Sequence, residues 1–242
     1  MKSRTVNDNG KIFVDLGAYD GDSIRLAQRH FGRFAEIHAF EPLPGPQQRM
    51  AREFGGSKRF HLVGAAAGVE NSTARIFLGN QYGEIASSLF KGNRQCCDSE
   101  FVDIKVIDFP EYFKSKCSPR REKIVLKLNI EGGEYDILKV MADRNLLQSI
   151  DILFVDWHWS LIGLTEESHR DLVRRLRRHG FRLSGTKLDE LSNALKYNAI
   201  SLAVRKTFAF HYQGARLFLR NHAPAIFRIL RRMKSILCSG KQ

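Results

Sequence analysis

The chain has 242 residues, 43% hydrophobic and 27% charged, which suits one large domain or two small ones with a substantial core. No apolar run approaches the roughly 18 residues that span a bilayer, and the start, MKSRTVNDNG, lacks the apolar stretch of a secretory signal. The net charge of +13 is uneven: ten of the 39 basic and none of the 26 acidic side chains fall in 191–242, so the first 190 residues carry 29 basic against 26 acidic groups, a net of +3.

Strands and helices alternate from the start. KIFVDLGA (11–18) reads as an apolar strand, and DSIRLAQRHF (22–31) has helical spacing of its apolar residues. AEIHAFEP (35–42) is a second strand, closed by Pro42, and a helix is expected from Pro46, because proline suits a first helical turn. RFHLVGAAAG (59–68) reads as a third strand, followed by two extra strands, 72–79 and 99–108. KIVLKLNIEGGEYDIL (123–138) is a strand running into a helix, and IDILFVDWHW (150–159) is another mostly apolar strand. Thr165 opens a helix with the stripe Leu172, Val173 and Leu176, ended by Arg177, Arg178, His179 and Gly180. FRLSGT (181–186) and NAISLAVRK (198–206) read as a closing pair of strands. Apolar strands alternating with helices predict an α/β fold with a mostly parallel sheet covered on both faces.

In such a sheet, ligands bind outside the carboxyl ends of the strands, where the strand order reverses. The first strand ends in VDLGAYDGDS, with Asp15, Gly17, Ala18 and Gly21 before a helix opening. Glycine lets backbone approach a partner that a side chain would exclude. A dinucleotide site calls for GxGxxG and pyrophosphate at the helix start. This loop instead carries Asp20 and Asp22, whose charge repels pyrophosphate and suits a cationic ligand. Glu41 ends the second strand, placed to accept hydrogen bonds from ribose hydroxyls. A ribose, an ammonium and a sulfonium together point to S-adenosylmethionine.

FVDLGAYDGDS, AFEPLP, KLNIEGGEYDIL and FVDWHW, in this order and spacing, resemble the FkbM-type S-adenosylmethionine-dependent methyltransferases over about residues 11–206. The resemblance implies a class I methyltransferase (Rossmann-like) fold with a seven-stranded sheet, and methyl transfer to oxygen, often on a sugar or natural-product hydroxyl. It matches Asp15, Gly17, Ala18 and Gly21 to the cofactor loop, Glu41 to the ribose ligand, Glu131 and Glu134 to the two glutamates of EGxE, and His158 to the histidine after the fifth strand. Three positions depart from the pattern. Asn129 stands where the family has aspartate, Ala66-Ala67 replaces a Ser-Asp-like pair and leaves adenine recognition to backbone, and Asp156 replaces a glutamate.

His158 is the expected general base, since an unperturbed imidazole near pKa 6.5 works at neutral pH. Asp156, two residues earlier, shares its face on a regular strand and can orient the ring or hold substrate. The resemblance implies that Asn129, at the position of the family's aspartate, lies beside the transferred methyl. Glu131 is the better candidate for cofactor or substrate contact, and Glu134 for a helix-start role. Asp156, His158 and Glu131 could supply three metal ligands, but nothing fixes their spacing, and no metal is expected. EIASSLF (84–90) reads as a lid, a cofactor-edge loop or a plain connection. The four cysteines, Cys96, Cys97, Cys117 and Cys238, show no CxxC spacing and fit a reducing compartment.

The domain boundary is expected at 206/207, before a basic C-terminal extension in which PAIFRILRRMKSIL (224–237) forms an amphipathic helix. Such a helix docks on its own domain or a second copy, or lies on an anionic membrane. The reading is thus a cytoplasmic O-methyltransferase acting on a small-molecule or glycan hydroxyl, with peripheral membrane contact open and no nucleic-acid partner expected. The alternatives are a nucleic-acid methyltransferase and a non-catalytic module that binds the cofactor.

Overall fold

The computed structural model describes residues 10–79, 87–91, 93, 96–117 and 123–181. All of them belong to the first of the two units into which the chain divides, Met1–Leu191 and Ser192–Gln242. The expected closing strands after Phe181, the 206/207 boundary and the basic tail helix lie outside the described residues.

Five strands form a parallel sheet: β1 (Lys11–Leu16), β2 (Glu36–Phe40), β3 (Phe60–Val63), β7 (Lys123–Leu128) and β8 (Ile152–Val155), in the order β3-β2-β1-β7-β8. The chain runs outward from β1 through β2 to β3, then returns to β7 on the other side of β1. The reversal between β1 and β7 is the switch point at which such sheets open a crevice. Three more strands, β4 (Ala66–Gly68), β5 (Ser72–Gly79) and β6 (Cys96–Asp108), make a separate sheet in the order β4-β6-β5.

The expected seven-stranded sheet is therefore corrected to five parallel strands and a small second sheet among the described residues. The expected third strand, 59–68, is two strands. Ala65 N–H turns back to the Val63 carbonyl, after which Ala66–Gly68 pairs with β6 rather than continuing beside β2. The helix expected from Pro46, α2, starts earlier, at Pro44 (Pro44–Phe54). A helix absent from the sequence reading, α3 (Phe109–Lys116), follows β6 directly, with the Asp108 side chain accepting from Glu111 N–H as its cap. The strand expected over 150–159 ends at Val155.

Alternation along β1 sorts its side chains into two layers. Ile12, Val14 and Leu16 join one core with Phe109 and Phe113 of α3, Leu138 and Met141 of α4 (Glu134–Asp143), and Leu172 and Leu176 of α5 (Glu166–Arg178). Phe13 faces the other way and stacks on Phe34, which follows α1 (Asp22–Phe31). α5 opens as expected: Thr165 Oγ1 accepts from Ser168 N–H at 3.1 Å. Among the described residues no helix is long and apolar enough to cross a membrane.

Asp15 also points into the second layer. Register places it opposite Lys127, and Lys127 Nζ lies 2.8 Å from Asp15 Oδ1 with both side chains buried. The ammonium also donates to the Gly17 carbonyl at 2.8 Å, and Ser23 Oγ of α1 donates to Asp15 Oδ2. This pair ties β1, β7, the first loop and α1 together beneath the crevice. A buried pair costs far more when one partner is removed than it contributes as a pair, because the remaining charge is left without compensation. Lys127→Met should lower stability by about 3–5 kcal/mol in urea denaturation, and adding Asp15→Asn should recover part of the loss.

Candidate active site

The loop after β1 is built by close approach. Gly17 has φ +78°, and a Cβ there would lie 2.0 Å from the Asn129 carbonyl oxygen at the end of β7. Gly17 and Ala18 N–H both donate to the Phe40 carbonyl, at 3.1 and 3.0 Å. The glycine is needed because the end of β1 presses on the end of β7, a requirement imposed by the protein itself. Gly21, with φ +79°, caps α1, and a Cβ there would lie 2.5 Å from the Phe54 ring.

Glu41, one residue beyond β2, is buried against this loop. Its Oε2 accepts Tyr19 N–H and its Oε1 accepts Leu43 N–H, both at 2.9 Å. Each carboxylate oxygen retains a second lone pair for a ligand hydroxyl. Burial pushes the carboxyl up to about 7, while the two backbone N–H groups and Lys127 pull the other way. Ala66 lies apart from this loop, in β4 opposite Val106, and reaches the site through Leu43, in whose apolar cluster it packs.

On the other side of the switch point, residues 129–134 form a tight turn organised by Glu134. Glu134 has no exposed surface. Its Oε1 accepts Ile130 N–H at 2.8 Å and its Oε2 accepts Gly132 N–H at 2.9 Å. Glu131 therefore sits in the left-handed region at φ +55°, a conformation that costs a non-glycine residue about 1–3 kcal/mol and persists only where surroundings enforce it. Ser88 Oγ adds a hydrogen bond to the Glu131 carbonyl at 2.7 Å, so Ser88 of the expected edge loop braces this turn.

His158 stands between the two glutamates. Its Nδ1 lies 3.0 Å from Glu134 Oε1 and its Nε2 lies 3.4 Å from Glu131 Oε1. Because β8 ends at Val155, Asp156 and His158 are not on a regular strand. The ring is oriented by Glu134, the role the sequence reading offered to Asp156, which is half-buried nearby. Burial works to lower the imidazole pKa, but Glu134, Glu131 and Asp156 outweigh it and raise it to about 10. The surrounding carboxylates thus favour the protonated ring over the neutral base expected from an isolated imidazole. Burial raises the Glu131 carboxyl to about 7, with His158 opposing that rise.

Two buried acceptors at this end of β7 have no hydrogen-bond partner among the described residues: Asn129 Oδ1 and Glu131 Oε2. An unsatisfied buried acceptor is costly, about 1–3 kcal/mol, and calls for an explanation such as a ligand group. The Asp15–Lys127 pair beneath the site was missed from sequence. Its only signal was one charge inside each of two apolar runs, IFVDL and IVLKL.

Parallel strands wound in both directions from a central switch point, with carboxylates flanking the crevice there, define a Rossmann-like α/β ligand-binding domain. A family model described as the methyltransferase FkbM domain matches residues 15–183, and the chain belongs to that family. Among solved structures the chain is similar to a methyltransferase FkbM from Methylobacillus flagellatus KT, at 19% identity and a TM-score of 0.44. The match covers 71% of this chain and 37% of that one. No curated protein matches the chain.

The raised His158 pKa has a consequence for stability. A group whose pKa rises from 6.5 unfolded to about 10 folded stabilises fully below pH 6.5 and loses that contribution as pH climbs through 10. The stability gap between wild type and His158→Gln, read from urea midpoints, should therefore shrink steadily from pH 7 to pH 10. A gap independent of pH would place the proton elsewhere.

Proposed function

We propose that this chain transfers a methyl group from S-adenosylmethionine to a hydroxyl of a sugar, glycoconjugate or small metabolite. The observation that carries the reading is the pair of unpartnered buried acceptors, Asn129 Oδ1 and Glu131 Oε2, on the β7 side of the switch point whose other flank holds Glu41. The residues present fit the cofactor. Glu41 is held by two backbone N–H groups in a fixed position to accept ribose hydroxyls. Asn129 offers a neutral acceptor where the family pattern has a charged one, and Ala66-Ala67 leaves the adenine to backbone groups. When bound, S-adenosylmethionine supplies an electrophilic methyl on a cationic sulfur.

The chain's own residues do the rest. Glu131 Oε2 would take the acceptor's hydroxyl proton as the methyl–oxygen bond forms and the methyl–sulfur bond breaks. Its pKa near 7 leaves a useful fraction ionised at neutral pH and makes it a competent acid afterwards. His158, as an imidazolium on Glu131 Oε1, holds that carboxylate in place and stabilises its charged form. Glu134 fixes the imidazole through Nδ1. Asp156 adds negative charge beside this pair and is the residue we assign to hold the acceptor. Positioning carries most of the rate, since alignment of two reactants can supply roughly 7–11 kcal/mol and a positioned base about 10²–10⁴-fold. The near-neutral first 190 residues favour a glycan or small molecule over nucleic acid, and a cytoplasmic site of action fits Cys96, Cys97 and Cys117, which form no disulfide among the described residues.

Glu131→Gln should lower turnover about 10²–10⁴-fold in labelled methyl transfer while calorimetry with S-adenosylmethionine shows affinity within a few-fold of wild type. Glu41→Ala should do the reverse, weakening cofactor binding. Transfer to RNA but not to a panel of sugars and hydroxylated metabolites would move the reading to a nucleic-acid methyltransferase. Cofactor binding without transfer to any acceptor would move it to a non-catalytic module.

A further inference from the structure

We propose that Glu36, His38 and His61 form a binding site for one divalent transition-metal ion, zinc by preference, on the β2–β3 face of the sheet. Glu36 and His38 are two residues apart on β2 and so project from the same face. His61 is the register partner of His38 on β3, and the two rings stack with centroids 4.8 Å apart and planes at 22°. One ligand atom from each of the three side chains lies within 4.8 Å of the others.

The spacing suits a tetrahedral ion. Glu36 Oε2 is 3.1 Å from His38 Nε2 and 3.8 Å from His61 Nε2. Ligand atoms at the usual 2.0–2.1 Å from zinc stand about 3.3 Å apart along a tetrahedral edge. The second observation is His61 Nε2 itself: this nitrogen is buried and has no hydrogen-bond partner among the described residues. The third is Tyr112 of α3. Its hydroxyl lies 2.8 Å from His38 Nδ1; without metal it donates to that nitrogen while Nε2–H donates to Glu36 Oε2, and an ion on Nε2 would move the proton to Nδ1, where the hydroxyl can accept it. Metal-bound histidines are held in this way through their second nitrogen.

Two imidazoles and one carboxylate select zinc or its first-row neighbours over magnesium and calcium, which take oxygen ligands. His61 is partly exposed although its Nε2 is buried, and three protein ligands leave the fourth tetrahedral position to a water or a further ligand. The site is separate from the candidate active site. Glu36 begins β2 and Glu41 follows its end, five residues apart in sequence, or roughly 16 Å along an extended chain. β3 is an edge strand of the sheet among the described residues, and an ion bridging His61 to β2 clips that edge in place.

The test uses the untagged full chain, stripped by a chelator and titrated with zinc by calorimetry, with cobalt absorption as a second readout. Wild type should bind one equivalent at this site, show the intense visible bands of tetrahedral cobalt, and gain thermal stability with zinc. His61→Ala, a half-exposed position, and Glu36→Gln should each weaken that binding at least tenfold and abolish the stabilisation while retaining the far-ultraviolet circular dichroism of the fold. His179→Ala, on an exposed histidine, should behave as wild type. The proposal is overturned if wild type binds no zinc below millimolar concentration, or if either ligand variant binds zinc and cobalt as wild type does.

Discussion

Three donors converge on the Glu134 carboxylate, which has no exposed surface: the N–H groups of Ile130 and Gly132, and the imidazole of His158. A buried charge is tolerable only when its lone pairs are met. Meeting them forces the chain after β7 into one shape. That shape turns Glu131 left-handed, sets Asn129 against Gly17, and fixes His158 relative to both glutamates. Most of what the site can do follows from this one buried acid and its donors.

The Asp15–Lys127 pair plays a similar part on the other side. It holds the start of the first loop to β7, and Ser23 brings the helix opening into the same network. Above these buried pairs the site leaves Asn129 Oδ1 and Glu131 Oε2 without partners among the described residues. The ion-paired carboxylate below, whose Oδ1 meets Lys127 without a hydrogen bond, and the unpartnered buried acceptors above make a fixed floor with hydrogen-bonding capacity left over. That combination suits catalysis by positioning, because little must reorganise when a ligand arrives.

The charge state of the site is a collective property. A lone histidine near pKa 6.5 is a base at neutral pH, but this one lies among three carboxylates and holds its proton to about 10. Glu131 beside it has its carboxyl raised to about 7, by burial first, with His158 opposing the rise.

Much of the fold was legible in local chemistry. The apolar runs of β1, β7 and β8, the Thr165 cap of α5 and the glycine at position 17 all announce themselves in sequence, because each depends on neighbours a few residues away. The motifs VDLGAYDG, FEP, EGGE and DWHW likewise mark the family and place Glu41, Glu131 and His158 at strand ends. What the sequence could not settle depends on contacts between distant segments. The break of 59–68 into two strands follows from pairing with β6, whose register lies some forty residues downstream. The opposition of Asp15 and Lys127, the turning of His158 toward Glu134 rather than Asp156, and the meeting of His61 with Glu36 and His38 all required knowing which strands are neighbours and in what register. Residue types determine which chemistry is available. Only the packed structure determines which groups face one another in a water-poor interior, and that is where proton affinities and roles are set.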